Sequence, residues 1–300
     1  MKKMNKTARK NALTYGGVIL AYIIMQSLSS TGHISSTLSG LLVPFCYYVI
    51  LAVSLNLTVG VLGELSLGHA GFMCVGAFTS VFFTKCTEDV ITNGLIRFPI
   101  ALLIGAVAAG IFGILIGIPV LRLKGDYLAI VTLAFGEIIK NLVNVLYIGK
   151  DSQGLHFSMK DSIALNLEAE GTVIVNGPQG ITGIKQDSTF TIGIILVLLT
   201  LFIVLRLVQS RDGRAIQAIR DNRIAAESVG LNITKYKLMA FSVSAALAGL
   251  GGALYAHNLS TLSATSKNFG YNMSIMILVY VVLGGIGNIQ GSIIAPVVLN

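Results

Sequence analysis

The side chains most able to do chemistry in this 300-residue chain are the few polar ones set inside apolar stretches. Asn56, Glu64, Ser66 and His69 form one group, and Asp126, Thr132, Glu137, Lys140 and Asn141 form another. Polar groups are costly in hydrocarbon, so such residues face an interior cavity or one another. Glu137 is the deepest acid, and its spacing from Lys140 puts both on one helix face, where they neutralise each other. The alternative use of Glu137 is as polar lining for a path. His69 lies between Gly68 and Gly71, a mark of a broken or tightly packed helix start, and no second His, Cys or acid stands at metal-ligand spacing from it. Packing is therefore the reading for His69, and no metal is expected. Discontinuous helices expose backbone amides and carbonyls to small zwitterions. The stretch from Gly60 to Gly71, with Asn56 and Ser66, is thus a candidate path, and His69, Thr132 and Glu137 join it.

Other chemistries leave no trace. There is no GxxxxGK[ST] phosphate loop, G-x-S-x-G elbow, HExxH pair or close acid dyad, so neither intramembrane hydrolysis nor use of nucleotide by the chain itself is expected. Cys46, Cys74 and Cys86 lack CxxC spacing and sit in or beside apolar stretches, where cysteine acts as a small hydrophobe. No cofactor is implied. A carrier driven by an ion gradient would need intramembrane acid pairs and inverted repeats, for which Glu137 alone is thin support.

The elements that must position these residues follow from composition. Apolar residues make up 54% of the chain and charged residues 11%, against about 25% charged in a soluble domain. Mean hydropathy is +0.81. Apolar runs near 15 to 30, 40 to 60, 66 to 84, 98 to 121, 127 to 148, 189 to 208, 238 to 257 and 271 to 289 predict an all-α, polytopic membrane bundle. With a further apolar run beginning at Gly291, eight to nine transmembrane segments are expected, in one transmembrane domain over residues 1–300. The basic start (Lys2, Lys3, Lys6, Arg9, Lys10) before an apolar run resembles a secretory signal. A retained first helix is the preferred reading.

Orientation follows from the positive-inside rule. With the N-terminus cytoplasmic, most of the 21 basic residues fall inside. These are the N-terminal run, Arg122 and Lys124, and seven residues between Arg206 and Lys237. The outer connections balance Lys85, Arg97, Lys150, Lys160, Lys185 and Lys267 with Glu88, Asp89, Asp151, Asp161, Glu168, Glu170 and Asp187. The net charge of +8 therefore reports topology, because the basic residues form no aromatic-interleaved patch for nucleic acid. Gly105, Ala109, Gly113 and Gly117, and likewise Ser244, Ala248, Gly252 and Ala256, form stripes of small residues that let helix backbones approach closely.

Two loops stand out. The cytoplasmic loop 209–237 is charged yet helically patterned: Ala215, Ile216 and Ile219 share one face, while Ile224, Ala225 and Val229 share another. Gly230 supplies a stop, predicting two short helices broken near Asp221. Such a pair suits either docking into a groove on a soluble partner or lying on lipid. The extracytoplasmic loop 149–188 carries Asn176-Gly177-Pro178-Gln179-Gly180 between two apolar runs, predicting a small hairpin. It reads equally as a docking surface and as a solvated connection.

Ala225-Ala226-Glu227 followed by Gly230 resembles the short "EAA" loop of ABC importer permeases, here in the order AAE. GELSLGHAGF from Gly63, LKGDYLAIVTLAFGEIIK from Leu123, NGPQGITGI from Asn176, RAIQAIRDNRIAAESVGLN from Arg214 and VVLGGIGNIQG from Val281 are similar to the LivM-type branched-chain amino-acid permeases. Relatives for urea and short amides look much the same. The resemblance implies a pore subunit of a bacterial plasma-membrane importer. It would be paired with a second homologous permease and served by cytosolic ABC ATPase subunits and an extracytoplasmic substrate-binding protein. It implies a coupling role for Arg220, Asp221, Asn222, Ala225, Ala226, Glu227 and Gly230.

Overall fold

The computed structural model describes residues 6–31, 35–88, 90–123, 125–152, 154–168 and 171–300. Lys2, Lys3, Asp89, Lys124 and Glu170, used above for topology, lie outside them, as do the side chains of Lys6, Arg9 and Lys10.

Helix α1 spans Lys6–Ser30, and α2 spans Ser36–Asn56 before continuing as a π-helical turn, Leu57–Leu62. Next come α3 (His69–Cys86), α4 (Gly94–Val120) and α5 (Asp126–Asn144). Strands β1 (Tyr147–Lys150), β2 (Leu155–Ser158), β3 (Thr172–Asn176) and β4 (Ile181–Thr182) fill the following loop. The chain continues through α6 (Phe190–Gln209), α7 (Arg211–Asp221), α8 (Arg223–Ser228) and α9 (Ile233–Ala256). It closes with β5 (Thr261–Leu262), α10 (Ser266–Phe269), α11 (Tyr271–Gly284) and α12 (Ile289–Leu299).

Among the described residues, five helices are long and apolar enough to cross a membrane: α1, α2 with its π turn, α4, α6 and α9. The expected runs 66–84 and 127–148 correspond to α3 and α5. Helix α3 is buried along nearly its whole length by α9, α4 and α5, so no lipid-facing hydropathy is demanded of it. Helix α5 is amphipathic, with one buried face that includes Leu128, Thr132 and Ile139. The run 271–289 is interrupted where Gly285 and Gly287 adopt φ of 93° and 80°. Helix α11 therefore stops at 14 residues, about 21 Å at 1.5 Å per residue, and α12 turns back against it.

The centre is a three-helix contact made by glycines. A Cβ on Gly76 would stand 2.2 Å from the Gly249 carbonyl oxygen, and one on Gly249 would stand 2.3 Å from the Ala109 Cβ. Helices α4 and α9 run antiparallel: Gly117 meets Leu238 and Phe241, Gly113 meets Ala245, and Gly105 meets Ala253. The expected stripe on α4 is thus a packing stripe. The stripe on α9 faces elsewhere: Gly252 abuts the Met73 carbonyl and Ser244 donates to the Ser54 carbonyl at 2.6 Å. A parallel row on α9, Ala245, Gly249 and Ala253, is the one that receives α4.

The five short strands lie together at one end, which we call the sheet end. They form a sheet of order β2-β1-β3 and a second pair, β4-β5. The expected hairpin between the two apolar runs is corrected here, because β3 pairs with β1 and β4 pairs with β5. Gly177 and Gly180 have φ of 48° and 73°. Together with the hydrogen bond from Asn176 N to Gly180 O at 2.9 Å, they swing the chain away from β3 and lay Gly180 against the Leu262 carbonyl.

Candidate functional site

At the opposite end, the chain between α2 and α3 is not a simple turn. The π turn is fully buried, and Gly63 ends it in the left-handed region at φ 79°. The last carbonyls of any helix lack intrahelical donors, and a buried one needs a substitute. Arg220 of α7 supplies it: its Nη1 donates to the Gly60 carbonyl at 2.9 Å, and its aliphatic stem lies over Gly63. Asp221 Oδ1 holds the same guanidinium through Nε and Nη2 at 3.0 and 2.9 Å. Lys237, at the start of α9, forms an ion pair with Glu64 on the following residues.

Of the candidate path residues, the structure brings four into this buried region. Asn56 is 1% exposed. Its Oδ1 accepts from Gly287 N and its Nδ2 donates to Ser292 Oγ, both at 2.8 Å, tying α2 to the α11–α12 hairpin. His69 Nε2 and Ser54 Oγ share a bond of 2.7 Å, so His69 is a packed core histidine, as its flanking glycines suggested. Thr132 Oγ1 accepts from Leu67 N at 3.0 Å and donates to the Ala129 carbonyl. Ser66 Oγ is buried without a hydrogen-bond partner. Each of these side chains is enclosed by the chain's own atoms.

Glu137 stands apart, on α5. Lys140 is ion-paired with Glu137 Oε2 and also donates to Ser266 Oγ at 2.9 Å, so the mutual neutralisation read from their spacing is present. The sequence did not reveal the second role of the carboxylate: Oε1 accepts from Tyr271 N at 2.9 Å. A carboxylate there satisfies an orphan donor and complements the dipole of α11. The Glu137 side chain is 27% exposed.

The 209–237 segment folds as its patterning predicted. Helix α7 ends at Asp221, and Asn222 caps α8 by accepting from Ala225 N at 3.0 Å. Gly230 closes the pair at φ 83° with open space around it. Ala215, Ile216 and Ile219 are buried, and Ala226 packs with Ile219 and Ile233. The other face is open: Ile224 is 81% and Val229 76% exposed, and Ala225 and Glu227 are exposed beside them. Sequence reasoning missed the guanidinium bond to Gly60 and the Lys237–Glu64 pair, whose partners lie 160 and 173 residues apart. Among the described residues no group of His, Cys, Asp or Glu could hold a metal.

A multi-pass helical membrane protein with a buried break beneath an exposed amphipathic helix pair is the class that fold and site define. The chain belongs to the branched-chain amino acid transport system / permease component family, whose profile matches residues 37–300. It is 38% identical to the high-affinity branched-chain amino acid transport system permease protein LivM of Salmonella typhimurium over 262 residues, 84% of this chain. The LivM of Escherichia coli matches equally. The chain spans 59% of the length of each of these two. The fructose import permease protein FruG of Bifidobacterium longum is 29% identical over 290 residues, covering 93% of this chain and 78% of that protein. No solved structure matches the chain.

Proposed function

We propose that this chain is a membrane-spanning permease subunit of an ATP-binding-cassette importer that moves branched-chain amino acids across the bacterial plasma membrane. The observation that carries the reading is the α7–α8 pair. One face is locked into the bundle, while the other offers Ile224 and Val229 with charged neighbours, as a helix laid into a groove of a soluble partner requires. A cytosolic ABC ATPase is that partner, and it supplies the hydrolysis for which this chain has no phosphate loop. Arg220, Asp221, Asn222, Ala225, Ala226, Glu227 and Gly230 build the coupling segment within 209–237.

The N-terminus is cytoplasmic in this reading. Thr14 of α1 bonds Gln290 near the α11–α12 turn, and Tyr22 bonds Thr191 at the start of α6. The N-terminal end of helix α1 therefore lies toward the same end as α7 and α8, which supports this orientation. Eight to nine segments cross, with α3 and α5 screened from lipid by the chain and its partner. The sheet end is extracytoplasmic. There, within 149–188, exposed Phe157 and Met159 offer a contact for a substrate-binding protein.

A second homologous permease covers the exposed side of α5 and completes the path, to which Glu137 contributes a carboxylate. Asn56, Ser66, His69 and Thr132 shape the broken helix behind it. Selection among leucine, isoleucine and valine belongs to the binding protein. A related permease for urea or short amides is the alternative reading.

The test is reconstitution with the two ATPase subunits, the second permease and the binding protein in liposomes, followed by uptake of leucine and urea. ATP-dependent leucine uptake, abolished with ATPase co-purification by Ile224→Asp, is the expected result. Uptake that persists without ATP and follows a proton gradient overturns the reading.

A further inference from the structure

Resting on that reading, we infer that Arg220 is the positioning residue that carries movement of the α7–α8 pair into the membrane bundle, through the Gly60 carbonyl to the α11–α12 hairpin. The route is a short series of direct bonds. Arg220 Nη1 holds Gly60 O at 2.9 Å. Gly60 lies against Gly287, so closely that a Cβ on Gly60 would stand 2.3 Å from Gly287 N and 2.0 Å from Asn56 Oδ1. Asn56 bonds both Gly287 and Ser292, on either side of the start of α12. A push on α7 is thus delivered to the chain reversal between two half-length helices.

In this proposal the element that receives the push moves between two backbone arrangements, the π turn of Leu57–Leu62 seen here and an α-helical one. A π turn carries one residue more than the α-helix it interrupts, and such turns concentrate at functional sites. Returning Leu57–Leu62 to α-helical bonding would shift the register of Gly63–Gly68, the chain that leads into α3. In the present arrangement Glu64 N bonds Thr58 O at 3.1 Å, while Gly60 O is satisfied from outside the helix by Arg220. The guanidinium therefore favours the π form, and its withdrawal leaves a buried carbonyl in need of another donor. A charge fixed to an element that moves with the docking helices, and bonded to one of two backbone states, gives the differential contact a coupled transition requires. The Lys237–Glu64 pair fixes the far side of the same loop to α9, so the displacement is concentrated between Gly60 and Glu64.

The experiment uses the complete importer in liposomes, assembled with Arg220→Met and with Arg220→Lys, and compares leucine taken up per ATP hydrolysed. Methionine keeps the aliphatic cover on Gly63 and removes the donors, whereas lysine restores a charged donor. Couplings between sites commonly span 5–150-fold. We expect the ratio to fall at least about tenfold for Arg220→Met, with partial recovery for Arg220→Lys. A ratio equal to wild type in Arg220→Met overturns the relay while leaving the ATPase-coupled reading intact. If Arg220→Met does not assemble, Asn56→Ser, which shortens the other end of the relay, is measured in the same way, and an unchanged ratio there also overturns it. A wild-type complex that takes up leucine without hydrolysing ATP removes the coupled reading itself.

Discussion

Lys237 and Glu64, 173 residues apart in sequence, form an ion pair in which the ammonium side chain is 6% and the carboxylate side chain 15% exposed. The first belongs to the opening turns of α9 and the second to the chain just past the π turn. The pair pins the break between α2 and α3 to a core helix.

Removing one member leaves the other as an uncompensated buried charge, which costs about 3–5 kcal/mol. Lys237→Met is therefore expected to lower the midpoint of thermal unfolding in detergent markedly. The double change Lys237→Met with Glu64→Leu recovers most of the loss. Equal midpoints for the single and double variants would show that the charges do not depend on each other.

The glycine contact between α3, α4 and α9 leaves no room for a methyl group. Gly252→Ala places a Cβ 2.1 Å from the Met73 carbonyl oxygen, a backbone atom that cannot step aside alone. A loss of about 1–3 kcal/mol is expected, the usual cost of overpacking a core. Gly16→Ala, on α1 with nothing within 4 Å, is the matched control. It is neutral or stabilising, because alanine is the better helix former. Thermal unfolding of the two variants in parallel decides the matter.

Gly230 ends the α7–α8 pair in a left-handed conformation, with its N–H donating to the Glu227 carbonyl at 3.0 Å. Proline at this position removes the donor and forbids the φ angle. Gly230→Pro should abolish ATPase co-purification and uptake while the permease still inserts. Glu227→Arg, which reverses the charge on the exposed face, should weaken co-purification without touching the fold. Wild-type co-purification in both variants would move the docking surface elsewhere.

At the sheet end, Lys185 donates to Glu88 at 2.6 Å and holds that carboxyl below its ordinary value, with Lys85 and Arg97 adding to the effect and burial opposing it. A depressed folded pKa means that the pair contributes fully above the unfolded value and is lost as pH falls through the folded one. The groups are partly exposed, so the contribution is at most about 1 kcal/mol. Lys185→Met should lower the unfolding midpoint slightly at pH 7, and the difference should vanish in acid. A difference that persists at low pH would assign the loss to packing.

Legibility differed by element. The α7–α8 pair was readable because its information is local: the 3.6-residue recurrence of Ala215, Ile216 and Ile219 and the Gly230 stop act within a few residues. The Glu137–Lys140 pair was readable for the same reason. The β3–β4 hairpin was misread, although its turn residues were correct. Strand pairing depends on which edge is free, and β1 and β5, distant in sequence, took the two edges. The length of α11 was overestimated because hydropathy continues through Gly285 to Asn288, while the backbone angles of Gly285 and Gly287 do not.

By itself the sequence determined the class of environment, the helical character, the helical patterning of 209–237 and the small-residue stripe on α4, since these follow from composition and short-range periodicity. Only the tertiary structure decided which stripe of α9 meets α4, that Arg220 reaches Gly60, that Glu137 caps α11, and that Asn56 joins α2 to α12. Each of those is a contact between segments many residues apart. One chain carries no periodic signal for such contacts, because they are selected by the three-dimensional fit of backbones at close approach and by the need of each buried polar group for a partner.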